Sequence, residues 1–286
     1  MDTEALNMLT NASKIASGCG VTNDISINHT MTPNIKLSAE LTHDELLDYI
    51  MIFLCERINV EYSYSKGGYV LTKLLPEEAC STQGIDFSIS EMSQYEDIKI
   101  VLKDLGETLL NAGIITDYEI KQIIAPTSSG GIRMTPADGS SNIKIDIGWH
   151  DLSWGVQEWK FQGYDCNRFE VERMLSDKIS AIYSRKRFRR TKDIYDFFVL
   201  TNNFDVSISK LREYIDKRGT IEWDRNPFRE DVLTEYAKAY DKLKVLTCDG
   251  KLITKPVFAE IIIRLRDFMG KYNEDVKWNH LTKTFE

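Results

Sequence analysis

Two aspartates stand in the middle of short segments in which apolar and polar residues alternate. Asp86 lies in GIDFSIS, residues 84–90, and Asp146 lies in NIKIDIG, residues 142–148. Because strand side chains alternate between two faces, the isoleucines share one face and the aspartate takes the other. Two carboxylates on one sheet face can chelate Mg²⁺, a cation that takes oxygen ligands and leaves room for substrate phosphates. The alternative is an ordinary solvent-exposed sheet face.

A lysine interrupts an apolar stripe further along the chain. Residues 168–184 carry apolar side chains at helical spacing, and Lys178 falls within their stripe; the apolar members are Val171, Met174, Leu175, Ile179 and Ile182. A lysine on a core-facing stripe must extend to solvent, pair with a carboxylate or bind an anion. The sequence is compatible with all three outcomes.

Asp193 begins the next helical segment, residues 193–201, where an acidic residue is also favourable to the helix dipole. Fifteen positions separate it from Lys178, which is roughly 22 Å on a straight helix. The two can share a site only if the chain bends between them. That connection is RKRFRRTK, Arg185–Lys192, with six cations in eight positions. Such a basic run suits a phosphate-bearing ligand or a solvated helix end.

The elements that would position these residues indicate an α+β fold. Thr42 is an N-cap candidate for a helix over the following residues, and Ser65 to Gly68 predicts a turn before a helix that ends near Pro76. Gly67 and Gly68 could leave backbone N–H groups facing a phosphate at that helix N-terminus, or form a plain turn.

The remaining pattern divides the chain into two domains. The pattern predicts helix over residues 96–125. The segment GGIRMTPADGSSNIKIDIG predicts a hairpin with Asp138-Gly139 in its loop. After Trp159 the periodicity turns helical, with further helices over 207–217, 229–246 and 255–272. We therefore expect an α/β core with a helical lead-in over residues 1–160 and a helical C-terminal domain over residues 161–286.

Composition bounds the class of protein. The 286 residues are 42% hydrophobic and 28% charged, with a net charge of -8, so the chain as a whole is not a nucleic-acid clamp. There is no apolar run of about 18 residues and no signal-peptide pattern, so no membrane partner is expected. Five scattered cysteines without a C-x-x-C pair argue against zinc and a disulfide framework and favour a cytoplasmic location.

Taken in order, four segments resemble the AbiEii/AbiGii nucleotidyltransferase family, which includes toxins of type IV toxin–antitoxin and abortive-infection systems. They are SYSKGGYVLTKLL, GIDFSIS, KIDI and DKISAIYSRKRFRRTKDIYDFFVL. The resemblance implies a nucleotidyltransferase fold, NTP as substrate, Mg²⁺ as cofactor, a bacterial RNA such as tRNA as acceptor, and a cognate antitoxin as partner.

The same resemblance assigns site residues in this sequence. It implies catalytic roles for Asp86, Asp146, Lys178 and Asp193, with Asp86 and Asp146 also holding the metal. The nucleotide-binding positions that it implies are Lys66, Gly67, Gly68 and Lys192.

Two positions depart from the family pattern. Tyr69 stands where a small hydroxyl residue is common, and Gly84 stands where the first aspartate of a D-x-D pair belongs. Without that carboxylate, two hypotheses for the function stay open. The chain is either a nucleotidyltransferase toxin or phage-defence enzyme, or a catalytically silent relative that binds nucleotide, RNA or a partner protein.

Overall fold

The computed structural model describes residues 37–38, 41–58, 63–90, 95–121, 130–150, 154–184, 190–219, 221, 223 and 226–286. Within these ranges the helices are α1 (His43–Arg57), α2 (Gly67–Leu74), α3 (Tyr95–Asn111), α4 (Val171–Ile182), α5 (Thr191–Asn203), α6 (Ile208–Arg218), α7 (Glu230–Lys242) and α8 (Phe258–Gly270). Most of the predicted helical lead-in and most of the basic run before Lys192 lie outside the described residues.

A seven-stranded mixed sheet forms the centre of the fold. Its strands are β1 (Ser63–Lys66), β2 (Gly84–Ser90), β3 (Ile115–Lys121), β4 (Gly130–Pro136), β5 (Ile143–His150), β6 (Val156–Phe161) and β7 (Tyr164–Phe169). They lie in the order β3-β4-β5-β2-β1-β7-β6. The pairs β2–β5 and β1–β7 are parallel, and the other neighbours are antiparallel. The predicted α+β class is confirmed.

Helices α1 and α3 cover one face of the sheet. The predicted alternation holds, since Ile85, Ile145 and their apolar neighbours in β2 and β5 are buried among residues of these helices. Helix α1 begins after Thr42 as predicted. The Thr42 side chain accepts a hydrogen bond from the Glu45 backbone N–H, and the Glu45 carboxylate accepts one from the Thr42 N–H. This reciprocal capping stabilises the helix start.

The prediction of continuous helix over residues 96–125 is wrong. Helix α3 ends at Asn111, and Gly113 follows with a φ of +70°. The backbone N–H groups of Gly113 and Ile114 donate to the carbonyls of Leu110 and Leu109, a Schellman pattern that terminates helices. The chain then pairs with β4 as the edge strand β3.

The predicted turn over residues 65–68 is also partly wrong. Ser65 and Lys66 belong to β1, because this segment pairs along its length with β2. The change of direction comes at Gly67, whose φ is +74°, and helix α2 starts there. A positive φ favours glycine, which explains the residue type.

The remaining chain supplies the second layer. The hairpin β6–β7 belongs to the main sheet, so the division expected at residue 160 falls inside that hairpin and the helical part begins after Phe169. Helices α4 to α8 share a second apolar cluster with Tyr64, Leu71 and Phe169. A small sheet of β8 (Val206–Ser207), β9 (Lys277–Asn279) and β10 (Thr284–Phe285) lies among these helices, and the sequence did not predict it.

Candidate active site

Three charged residues lie side by side on neighbouring central strands. Asp86 of β2 stands opposite Asp146 of β5 in the parallel register, and Lys66 of β1 stands opposite Asp86 in the antiparallel register. Register partners on adjacent strands project from the same face. The predicted pair of aspartates therefore shares the polar sheet face, away from the isoleucine core.

Gly67 brings the backbone against the first of these carboxylates. A methyl group in place of the Gly67 hydrogen would overlap Oδ2 of Asp86. The glycine therefore serves two purposes at this position, since it also adopts a positive φ. The start of α2 consequently lies directly beside the Asp86 carboxylate.

The electrostatics of this group reflect its partial burial. Burial raises the pKa of Asp86, and the Asp146 carboxylate raises it further, while Lys66 and Lys178 oppose the shift. Burial likewise lowers the pKa of Lys66 to about 8, against the opposing effect of Asp86. Both pKa shifts show that Asp86 and Lys66 lose hydration in this site and that each stabilises the charge of the other.

A cavity of about 370 Å³ opens beside these residues. It lies between the β1–α2 junction and helices α4, α5 and α6. Four cationic and three anionic side chains line it, namely Lys66, Lys178, Arg190, Arg218, Asp86, Asp177 and Asp193. The polar lining and the excess of cations suit a phosphate-bearing ligand.

Lys178 bridges two carboxylates of the next helix. Its Nζ lies 3.0 Å from Oδ1 of Asp193 and 2.6 Å from Oδ2 of Asp196. Lys178 and Asp193 could meet only if the chain bends between them, and it does bend between α4 and α5. Burial lowers the pKa of Lys178, but the two carboxylates outweigh burial, and the net pKa is raised. The lysine is a fixed cation.

Asp196 is a site residue that the sequence alone did not single out. Its side chain is 2% exposed, and Lys178 is its ion-pair partner. The available signal was its position three residues after Asp193, which places both carboxylates on one helix face. The Asp196 carboxylate is buried, and Lys178 supplies its counter-charge. An apolar residue in place of Lys178 would therefore leave a buried carboxylate without a counter-charge.

Lys192 lies on the other side of the glycine pair. Its Nζ donates to the carbonyl of Ser81 at 3.2 Å, and it approaches the Cα hydrogens of Gly68. It is also close enough to Asp86 to oppose the rise in that residue's pKa. The structure thus places three lysines around Asp86, with Lys66 and Lys178 as the other two.

Arg190 and Arg218 complete the cationic lining; Arg190 belongs to the basic run that the sequence offered as a phosphate-binding or solvated segment, and Arg218 was not predicted as a site residue. Arg190 Nη1 lies 3.6 Å from Oδ2 of Asp193, and Arg218 forms an ion pair with Asp177. Burial lowers the pKa of Arg218. Arg218 ends a helix far along the chain, so its arrival in this cavity depends on how α6 packs against α4.

The two departures from the family pattern have structural explanations. The Tyr69 hydroxyl donates to Oδ1 of Asp48 at 2.8 Å, so it is engaged within the α1 side of the fold. Gly84 lies so close to β5 that a Cβ would overlap the carbonyl oxygen of Lys144. A side chain at position 84 is excluded by this contact, and not by a positive φ.

The donor set fits Mg²⁺ in a limited way. Within the described ranges, no group of three or more His, Cys, Asp or Glu residues could hold a metal ion. Mg²⁺, however, is commonly held by one or two carboxylates together with substrate phosphates and water. Asp86 and Asp146 supply two such carboxylates beside a cationic cavity.

Comparison with solved structures supports the fold. A candidate nucleotidyltransferase from H. pylori aligns with a TM-score of 0.51 at 15% identity, covering 81% of this chain and 95% of that one. JHP933 from Helicobacter pylori aligns with a TM-score of 0.49 at 15% identity, covering 81% and 92%. The first likeness shows a shared nucleotidyltransferase-like fold.

Sequence comparison adds the family. No curated protein matches the chain significantly. In the described part of the chain, no helix is both long and apolar enough to cross a bilayer. A profile of the family described as "Nucleotidyl transferase AbiEii toxin, Type IV TA system" matches residues 66–283. That range contains Lys66, Asp86, Asp146, Lys178 and Asp193. The chain therefore belongs to the AbiEii family of nucleotidyltransferase toxins.

Proposed function

We propose that this protein transfers a nucleotide from an NTP to an RNA acceptor, with tRNA as the leading candidate and Mg²⁺ as cofactor. A cognate antitoxin would oppose this activity in a type IV system. The observation that carries the proposal is the register pairing of Asp86 with Asp146 beside a cavity lined by cations. Two carboxylates can hold one Mg²⁺ beside a cavity that attracts phosphate, and a metal ion with cationic side chains around the phosphates is how phosphoryl-transfer sites stabilise charge.

The cationic residues would bind and orient the triphosphate. Lys66, Arg190 and Arg218 line the cavity that faces Asp86, and the arginines can contact phosphate oxygens through planar guanidinium groups. The acceptor hydroxyl would approach from the side of Asp146, which is exposed at the polar sheet face. A new bond would form between the acceptor oxygen and the α-phosphorus as the bond to pyrophosphate breaks.

Asp86 and Asp146 would hold Mg²⁺. When bound, the ion would supply charge neutralisation at phosphate oxygens. Lys178 would contribute a fixed positive charge near the cavity, since Asp196 keeps its ammonium in place. Asp193, which lines the cavity and shares Lys178, would limit the net charge there.

The test is transfer of label from each of the four NTPs, in the presence of Mg²⁺, to total bacterial RNA. Wild type should label RNA with one or more NTPs, and Asp86→Ala should not. Asp117→Ala is the matched control, because Asp117 is an exposed strand aspartate on the edge strand β3, away from the cavity. Equal labelling by wild type and Asp86→Ala would reject the proposed site.

A second candidate function rests on Gly84. The missing first carboxylate of the D-x-D pair favours a protein that keeps the scaffold and binds nucleotide, RNA or a partner without turnover. The two candidates differ in one measurement. Nucleotide binding by wild type without labelling of RNA, and without pyrophosphate release at any Mg²⁺ concentration, would favour the silent reading.

A further inference from the structure

Two cysteine thiols meet behind the sheet, on the side away from the cavity. Sγ of Cys166 donates to Sγ of Cys55 at a separation of 2.9 Å. Cys55 belongs to the last turn of α1, and Cys166 lies in β7. The two positions are 111 residues apart in sequence, so only the packing of α1 on the sheet brings them together.

The two cysteines differ in the exposure of the whole residue, although both thiols are enclosed by protein. Cys166 is 2% exposed and belongs to the apolar cluster between the sheet and α1. Cys55 is only partly buried and packs at the margin of that cluster. Cys55 is nearer the margin of the cluster, so a small oxidant that enters there meets its sulfur first, and Cys166 is placed to resolve the product.

We propose that Cys55 and Cys166 form an oxidation site that closes to an intramolecular disulfide when low-molecular-weight disulfides are in excess over thiols. The Cys55 thiolate attacks one sulfur of the small disulfide, and one small thiol leaves. The Cys166 thiolate then attacks the Cys55 sulfur, and the second small thiol leaves. Two electrons pass from the cysteine pair to the small disulfide, and the two thiol protons pass to the released thiols.

The environment makes this site a slow one. The hydrogen bond with Cys166 and burial both raise the pKa of the Cys55 thiol. The reactive thiolate is therefore scarce near neutral pH, and closure should take hours and not seconds. We therefore expect the Cys55–Cys166 disulfide to form only under sustained oxidation.

The bond would tie α1 to the strand next to β1. Strand β7 pairs with β1 through Ser65 and Arg168, and β1 leads into Lys66 and Gly67. Cross-linking residues far apart in sequence restricts the unfolded chain. The native positions of the two sulfurs need little movement, so the oxidised form should be the more thermostable one.

The experiment treats the native protein with oxidised glutathione, unfolds it in the presence of N-ethylmaleimide so that every free thiol is trapped, and maps the peptides. We expect a peptide pair linked through Cys55 and Cys166 and, in a sample taken before the maleimide is added, an intact mass lower by about 2 Da than that of the reduced protein. The melting temperature should rise by about 5–15 °C over that of protein treated with a reducing agent. A Cys55→Ser variant and a Cys166→Ser variant should show neither change.

Cys248→Ser is the matched control, because Cys248 is a partly buried cysteine elsewhere in the fold and its loss should leave the linked peptide and the temperature shift intact. The proposal would be overturned if, after a day with oxidised glutathione, both Cys55 and Cys166 of wild type were still free thiols that the maleimide alkylates. This measurement needs no variant. A linked form that melts below the reduced form would also overturn the proposal, since that outcome shows a bond foreign to the native geometry. Neither result depends on nucleotidyl transfer.

Discussion

The Lys178 ammonium lies 2.6 Å from a carboxylate oxygen of Asp196, and this ion pair is buried between α4 and α5. Side chains of the pair are 12% and 2% exposed. Asp193 shares the same ammonium at 3.0 Å but also lines the cavity. The lysine thus has one structural partner and one partner at the candidate site.

This arrangement predicts an asymmetric response to substitution. Lys178→Met should destabilise the fold by about 3–5 kcal/mol, because it leaves Asp196 buried without a counter-charge. A Lys178→Met/Asp196→Leu double variant should recover most of that loss, since an apolar pair can replace a buried ion pair. Urea denaturation measures both. If Lys178→Met were as stable as wild type, the buried Asp196 carboxylate would not need Lys178 as its counter-charge, and this interpretation would be wrong.

The metal proposal predicts matched losses at two positions. Asp86→Asn and Asp146→Asn should each weaken Mg²⁺ binding by about tenfold or more, because each removes one of two carboxylate ligands. Calorimetry with MgCl₂, with and without a non-hydrolysable NTP, provides the measurement. Asp117→Asn should bind as wild type does. A loss at only one of the two aspartates would show that they do not hold the same ion.

The lowered pKa of Lys66 predicts a pH dependence of nucleotide binding. With a pKa of about 8, Lys66 loses its proton between pH 7 and pH 9. NTP affinity should then fall by about tenfold, because a charged contact to phosphate is lost. Lys66→Met should bind more weakly at pH 7 and show a flatter profile. A wild-type profile as flat as that of Lys66→Met would remove Lys66 from the phosphate contacts.

The same shift affects stability with a definite sign. Between pH 8 and the ordinary lysine value of 10.5, the unfolded chain binds the Lys66 proton and the folded chain does not. The contribution of this group to the free energy of unfolding therefore rises with pH across that window. Denaturation at pH 8 and pH 10, compared between wild type and Lys66→Met, isolates it.

Gly84 should not accept the missing family aspartate. An added carboxylate would ordinarily strengthen a metal site, but Gly84→Asp would bring its Cβ into the carbonyl of Lys144. We therefore expect a loss of about 3 kcal/mol or more and no gain in Mg²⁺ affinity. Gly84→Ala should be destabilised similarly, whereas Gly270→Ala, where the added methyl meets open space, should not. Melting temperatures of the three variants decide the point.

Tyr69 should prove structural. Its hydroxyl donates to buried Asp48, which also accepts a hydrogen bond from Gln162 at 2.7 Å. Tyr69→Phe should cost about 1–2 kcal/mol of stability, because one oxygen of Asp48 loses a donor. NTP affinity should stay unchanged, since that hydroxyl is directed away from the cavity. A variant with normal stability and weakened NTP binding would instead assign Tyr69 to the phosphate contacts.

Local patterns in the sequence were sufficient for several features. Alternation over residues 84–90 and 142–148 determined that Asp86 and Asp146 leave the isoleucine face, because strand geometry has a period of two. The N-cap at Thr42 follows equally from short-range spacing, as do the two helices predicted over residues 168–184 and 193–201, which the structure bounds at Val171–Ile182 and Thr191–Asn203. The order of the four family segments along the chain was likewise enough to indicate the AbiEii family.

Other features depend on contacts between segments distant in the chain, and local periodicity carries no information about them. The sequence could place Lys178 on a helix stripe, but only the packing of α4 on α5 selected Asp196 as its partner. Arg218 reaches the cavity because α6 folds back onto α4. Gly84 excludes a carboxylate because β5 lies against it, and strand order is set by non-local pairing. The alternation of residues thus determined which side chains share a face, and the tertiary structure decided which of them meet.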